Sequence, residues 1–124
     1  MIRLLPPGDQ EIGGGGGGDG LEIVTGVEID TGDTVNGNTV YGKYINFGSL
    51  PNNGTKNVSH GISGLIDVIA LEGVADTGSD QWHLAYTNGI QYAILRANGS
   101  SIRISTNFNW TSVSGRVYIE YTRS

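Results

Sequence analysis

No window of twelve residues in this chain carries an apolar stripe at helical spacing. From residue 21 onward it divides instead into short runs of aliphatic, β-branched and aromatic residues, punctuated by Gly, Asn, Asp and Pro. The runs fall at 21–29, 39–47, 65–72, 81–86, 90–96, 101–106 and 116–122. Strands of this length at this spacing predict an all-β domain, a sandwich or a barrel, and the expectation adopted is an antiparallel, jelly-roll-like β-sandwich.

The run at 116–122 shows the period of two most cleanly. Val117, Ile119 and Tyr121 share one face, and Arg116, Tyr118, Glu120 and Thr122 the other. The first face is predicted to be core and the second wet or shared. The run at 65–72 is apolar on both faces apart from Asp67 and Glu72, which predicts a strand central in its sheet or placed at a subunit interface.

Composition agrees. Glycine makes up 21 of 124 residues, against an average share of about 7%, a bias toward turns and strands. A run of six glycines at 13–18, followed by Asp19 and Gly20, reads as a linker, because glycine loses the most backbone entropy on ordering. The chain is therefore expected to comprise an N-terminal arm (1–12), a flexible Gly-rich linker (13–20) and a head (21–124). Ile2, Leu4 and Leu5 in the arm are candidates for docking to a larger particle.

The formal net charge is −5, and the seven basic residues are scattered singly. This leaves no basic patch to follow a nucleic-acid backbone. No segment approaches the apolar length of a membrane span, so membrane insertion is not expected. The absence of cysteine excludes disulfides, thiol nucleophiles and thiolate zinc sites.

His60 and His83 stand far apart, outside any metal-binding spacing, and no metal or other cofactor is expected. A histidine directly before glycine, as at His60, suits a turn held by bonds to backbone. Asp30, Asp33, Asp76 and Asp80 are read as solvated turn residues rather than calcium ligands, since no twelve-residue loop pattern joins them.

Asp76-Thr77-Gly78-Ser79 matches the aspartic-protease signature, and Asp30-Thr31-Gly32 is a partial second copy. Aspartate, threonine and glycine are also what a tight turn requires, and the turn reading is the one adopted. No enzymatic role is expected.

From about residue 39 the chain resembles the C-terminal head domains of bacteriophage tail-fibre and related receptor-binding proteins. The likeness rests on Val40-Tyr41-Gly42-Lys43, Gly48-Ser49-Leu50-Pro51-Asn52-Asn53, Lys56, His60-Gly61-Ile62 and the closing Val117-Tyr118-Ile119-Glu120-Tyr121-Thr122-Arg123, over about two thirds of the chain. The resemblance implies a β-sandwich head, assembled as a homotrimer and displayed on a virion made in the bacterial cytoplasm. It also implies contact with a host surface glycan or protein, and leaves tail, baseplate and capsid positions open. The alternative is a structural decoration fibre with no specific receptor.

For receptor contact, Trp82, His83, Tyr86, Tyr92, Asn107, Phe108, Asn109 and Trp110 form the constellation of interest, because aromatic faces stack on sugars while amides bond hydroxyls. Asn107, Phe108, Asn109, Trp110, Trp82 and Tyr86 are the candidates. Phe108 and Trp110, in a polar loop between strands, are the better binding candidates, although a large aromatic there can equally cap the open end of a sandwich; Trp82 and Tyr92, inside strands, are more often core.

Overall fold

The computed structural model describes residues 24–124. The arm with Ile2, Leu4 and Leu5, and the glycine linker, lie outside the described residues.

The described chain is an antiparallel β-sandwich. Its strands are β1 (Ile29–Val35), β2 (Asn38–Ser49), β3 (Thr55–Ser59), β4 (Leu65–Asp76), β5 (Gln81–Leu84), β6 (Tyr86–Thr87), β7 (Tyr92–Ala97), β8 (Ser101–Thr106) and β9 (Ser114–Arg123). One sheet runs β1-β2-β9-β4-β5 and the other β3-β8-β7-β6. The β2→β3 and β8→β9 crossings lie side by side in both sheets, as in the outer wrap of a jelly roll. The inner strands differ from that plan, because β4 and β5, β6 and β7, and β7 and β8 are sequential neighbours within one sheet.

Local chemistry sets the joints. Asn36 and Gly37 both take positive φ (51° and 81°), the backbone of the two-residue hairpin turn whose twist matches its strands, and they join β1 to β2. Val117, Ile119 and Tyr121 of β9 are fully buried, as their alternation predicts. They meet Ile45, Phe47, Ala75 and Leu84 of their own sheet and Ala93, Ile102 and Ile104 of the other. Leu50, Ile62, Trp110 and Val113 close the core from the loops.

The structure departs from expectation at four points. The first strand is not 21–29: within its described part Thr25 makes only an isolated bridge to Tyr44, and the strand begins at Ile29. Asp30-Thr31-Gly32 keeps its turn, the Asp30 carboxylate accepting the Gly32 N–H, but it sits inside β1: the buried Thr31 hydroxyl donates to the Val40 carbonyl (2.9 Å), and the register shift between Asp30 and Thr34 absorbs the extra length. β3 was not expected at all. Of the two readings open for the second face of β9, wet or shared, the wet one fails: Tyr118, Glu120 and Thr122 are buried, with Tyr118 packed on Tyr44 at 4.6 Å and donating its hydroxyl to Glu120 at 2.8 Å.

β4 is central only in part. It pairs with β9 along its length but with β5 only from Gly73 to Asp76. Ile66 and Ile69, skipped by the two register shifts, are exposed.

The residues that carry the fibre resemblance serve this architecture. The Leu50 N–H donates to Val113, and Pro51 O accepts from Trp110 N–H and the Thr106 hydroxyl. Lys56 reaches across to the carbonyls of Phe47 and Ser49, and Lys43 to that of His60. His60 is buried: its Nδ1 accepts from the Ile62 N–H (3.1 Å), so Nε2 carries the proton and donates to Asn98 O (2.8 Å). This is the backbone-fixing role expected of it.

Candidate functional site

Four of the six receptor-contact candidates come together. On β5, Trp82 stands opposite Ala75, which is fully buried, so the pleat turns Trp82 toward the space between the sheets. Because β5 is an edge strand, part of the indole remains open, and Trp82 is 37% exposed. Its ring stacks on Tyr86 of β6, with centroids 5.1 Å apart and planes inclined by 30°. Trp110 lies behind both, 5.7 Å from Trp82 and 5.3 Å from Tyr86, and Phe108 meets Trp110 edge-on at 4.8 Å.

Exposure within this cluster is the reverse of what was expected. Trp110, taken as the displayed loop aromatic, is only 7% exposed, and Phe108 is half-buried against the core. The cause is the path of the loop between β8 and β9. Trp110 N–H donates to Pro51 O, Val113 N–H donates to Trp110 O, and Asn53 N–H donates to Phe108 O, which fold the loop inward over the end of the sandwich. Trp82 and Tyr92, expected to be core, are the most exposed aromatics among the described residues.

The two amides are structural as well. Asn107 Nδ2 donates to Ile90 O and its Oδ1 accepts from Tyr92 N–H, both at 2.8 Å, so the side chain ties its loop to the start of β7. Asn109 Oδ1 accepts from the N–H and hydroxyl of Thr111. Neither oxygen is directed to a ligand. Ile90, 82% exposed in the turn before β7, is an open residue that sequence reasoning did not single out. Its lone apolar side chain between Gly and Gln carries no periodic signal.

The two Asp-Thr-Gly copies do not meet. Asp30 is on β1 and Asp76 on β4, with β2 and β9 between them, and the register sets Asp30 level with Val68 rather than Asp76, so they are offset by about 14 Å across the strands and a further ~26 Å along them. Each carboxylate instead accepts the N–H two residues on, Gly32 for Asp30 and Gly78 for Asp76, both at 2.8 Å. These are Asx turns. Among the described residues no three His, Asp or Glu side chains converge as a metal site.

No family model, curated protein or solved structure matches the chain.

Proposed function

We propose that this chain is the head of a bacteriophage fibre and that it works by adhesion, binding a host surface glycan or protein without any chemical step. The observation that carries the reading is the Trp82–Tyr86 stack, open at the sandwich edge and backed by the buried Trp110. An indole held in this way is ordered before a partner arrives, so contact with the apolar side of a sugar or with a partner side chain costs little further entropy. A homotrimer, repeated on several fibres, turns weak single contacts into firm attachment. In this reading residues 1–12, with Ile2, Leu4 and Leu5, dock to other virion proteins.

The test is binding of the full chain to envelope preparations from a panel of bacteria, joined to antibody labelling of intact phage particles. Binding to at least one envelope, weakened about tenfold by Trp82→Ala, equivalent to ~1.4 kcal/mol, supports the proposal. Label over the capsid with no envelope bound turns it into a decoration fibre. No label on any particle removes the phage assignment.

A further inference from the structure

The outer face of the five-stranded sheet carries a grid of polar side chains at one end. In the cross-strand register Asn46 of β2 neighbours Arg116 of β9, Arg116 neighbours Val74 of β4, and Val74 neighbours His83 of β5. In the adjoining row Ser114 neighbours Asp76, and Asp76 neighbours Gln81. The intervening Ala75, Gly115 and Val117 are buried, so the pleat turns the whole grid outward.

Thr25, where the chain runs beside Tyr44 before β1, helps to wall the grid into a cleft of about 260 Å³ that is open to solvent. The cleft is lined by Thr25, Asn46, Val74, Asp76, Ser114 and Arg116.

Two of these groups are held in place, and the others are available. Asp76 Oδ1 accepts from Gly78 N–H (2.8 Å) and Asn46 Oδ1 from Gly48 N–H (3.2 Å), which pins both side chains. Asp76 Oδ2 and Asn46 Nδ2 remain. Among the described residues, the Arg116 guanidinium and the Thr25 and Ser114 hydroxyls have no hydrogen-bond or ion-pair partner. The cleft thus offers a planar fork of donors, a carboxylate acceptor, an amide donor and two hydroxyls over an apolar Val74 floor.

Vicinal hydroxyls, each a donor and an acceptor, match this mixture, and planar groups grip two neighbours at once. One cation and one anion give no net charge to select a phosphate or a basic peptide. A volume below the ~300–1,000 Å³ of drug-sized pockets limits the occupant to one small ring. We propose that this cleft is a second binding site, for a single neutral pyranose residue of a surface polysaccharide. Asp76, Arg116 and Asn46 bond its hydroxyls, and Val74 lies beneath its ring. Choosing a saccharide rests on the adhesive reading, but the residues lie across β5 from Trp82.

The experiment is a titration of the full, isotopically labelled chain with glucose, galactose, mannose and N-acetylglucosamine, each to about 100 mM, followed by amide NMR. That range detects dissociation constants near 1 mM and weaker. At least one sugar should give saturable shifts at Asn46, Val74, Asp76, Ser114 and Arg116. Asp76→Asn, which keeps the turn-forming oxygen, and Arg116→Ala should each weaken binding about tenfold, and Trp82→Ala should leave it unchanged.

No saturable shift with any of the four, shifts centred on Trp82, or undiminished binding by Arg116→Ala would overturn the proposal. Failure of the two readings is separable. Envelope binding lost in Trp82→Ala while the cleft ignores every sugar sinks the cleft alone. A sugar-filled cleft on a chain that binds no envelope leaves the cleft standing and sinks adhesion.

Discussion

The guanidinium of Arg123 grips the carboxylate of Glu28 with two prongs, Nε to Oε1 at 2.8 Å and Nη2 to Oε2 at 2.7 Å, and so fastens the end of β9 to the segment entering β1. The Tyr121 hydroxyl donates to the same Oε1 at 2.6 Å, and the guanidinium lies over the Tyr41 ring, 4.4 Å from its centroid. The Arg123 bonds hold the Glu28 carboxyl below its ordinary value of 4.5 against the opposing effect of burial, and the Tyr121 hydroxyl adds to the lowering. Burial, and then the bond to Glu28, push the Tyr121 hydroxyl well above the usual range.

A depressed carboxylate stabilises the fold fully above its unfolded value and loses that contribution as pH falls through its folded one. Wild-type stability should therefore drop below about pH 4.5, and Glu28→Gln should make this acid limb shallower. Urea midpoints of the two proteins at pH 7, 5 and 3 test it. Curves that stay parallel from pH 5 to pH 3 contradict it.

His60→Ala should destabilise by about 2–4 kcal/mol, since it opens a cavity and strips bonding partners from Ile62 N–H and Asn98 O, which His60 now satisfies. Hydrogen exchange should quicken at Ile62 well before the rest of the core. A loss below about 0.5 kcal/mol, the range of ordinary surface changes, refutes the role.

The aromatic cluster predicts a division of labour. Trp110→Ala should cost about 3–5 kcal/mol, as a large core truncation does. Trp82→Ala, with part of its ring already in water, should cost less than half of that. Equal losses in thermal or urea unfolding would mean that Trp82 is as much a core residue as Trp110.

Gly73→Ala is expected to destabilise by about 1–3 kcal/mol through overpacking. A Cβ there meets Leu84 Cδ1 at 2.9 Å, Leu84 Cβ at 3.1 Å and Leu95 Cδ2 at 3.2 Å, with both sheets closing on it. Leu95→Ala in the same background should recover part of the loss, and an additive double variant would contradict the steric account.

The sandwich was legible because its best strands carry their own pattern. Val117, Ile119 and Tyr121 alternate strictly, and that is the face the core takes. β3 was not legible, because in Thr55–Ser59 only Lys56 and Val58 are half-buried, and a lysine does not read as a core-facing residue. Lys56 earns its place through two backbone carbonyls that belong to a distant stretch of chain.

The aromatic cluster was half legible. Residue type picked out four rings that do meet, Trp82, Tyr86, Phe108 and Trp110, but local polarity around Phe108 and Trp110 suggested display. Burial there is decided by where the loop's N–H groups find acceptors, in Pro51 and Trp110 itself. The outer cleft was not legible, since Asn46, Val74 and Arg116 become neighbours only through strand register.

β9 also sets the order of assembly. The β1–β2 and β4–β5 pairs of the larger sheet are joined only through it, and its partners in β2 lie some seventy residues earlier in the chain. Until β9 has been synthesised, β2 and β4 each wait with an unpaired edge and an uncovered apolar face. Such distant pairing is slow to form and open to aggregation while it waits. Pairing β9 with β2 and β4 is thus the long-range step on which the larger sheet depends, and Ser114–Arg123 is the segment that turns its two hairpins into one sheet.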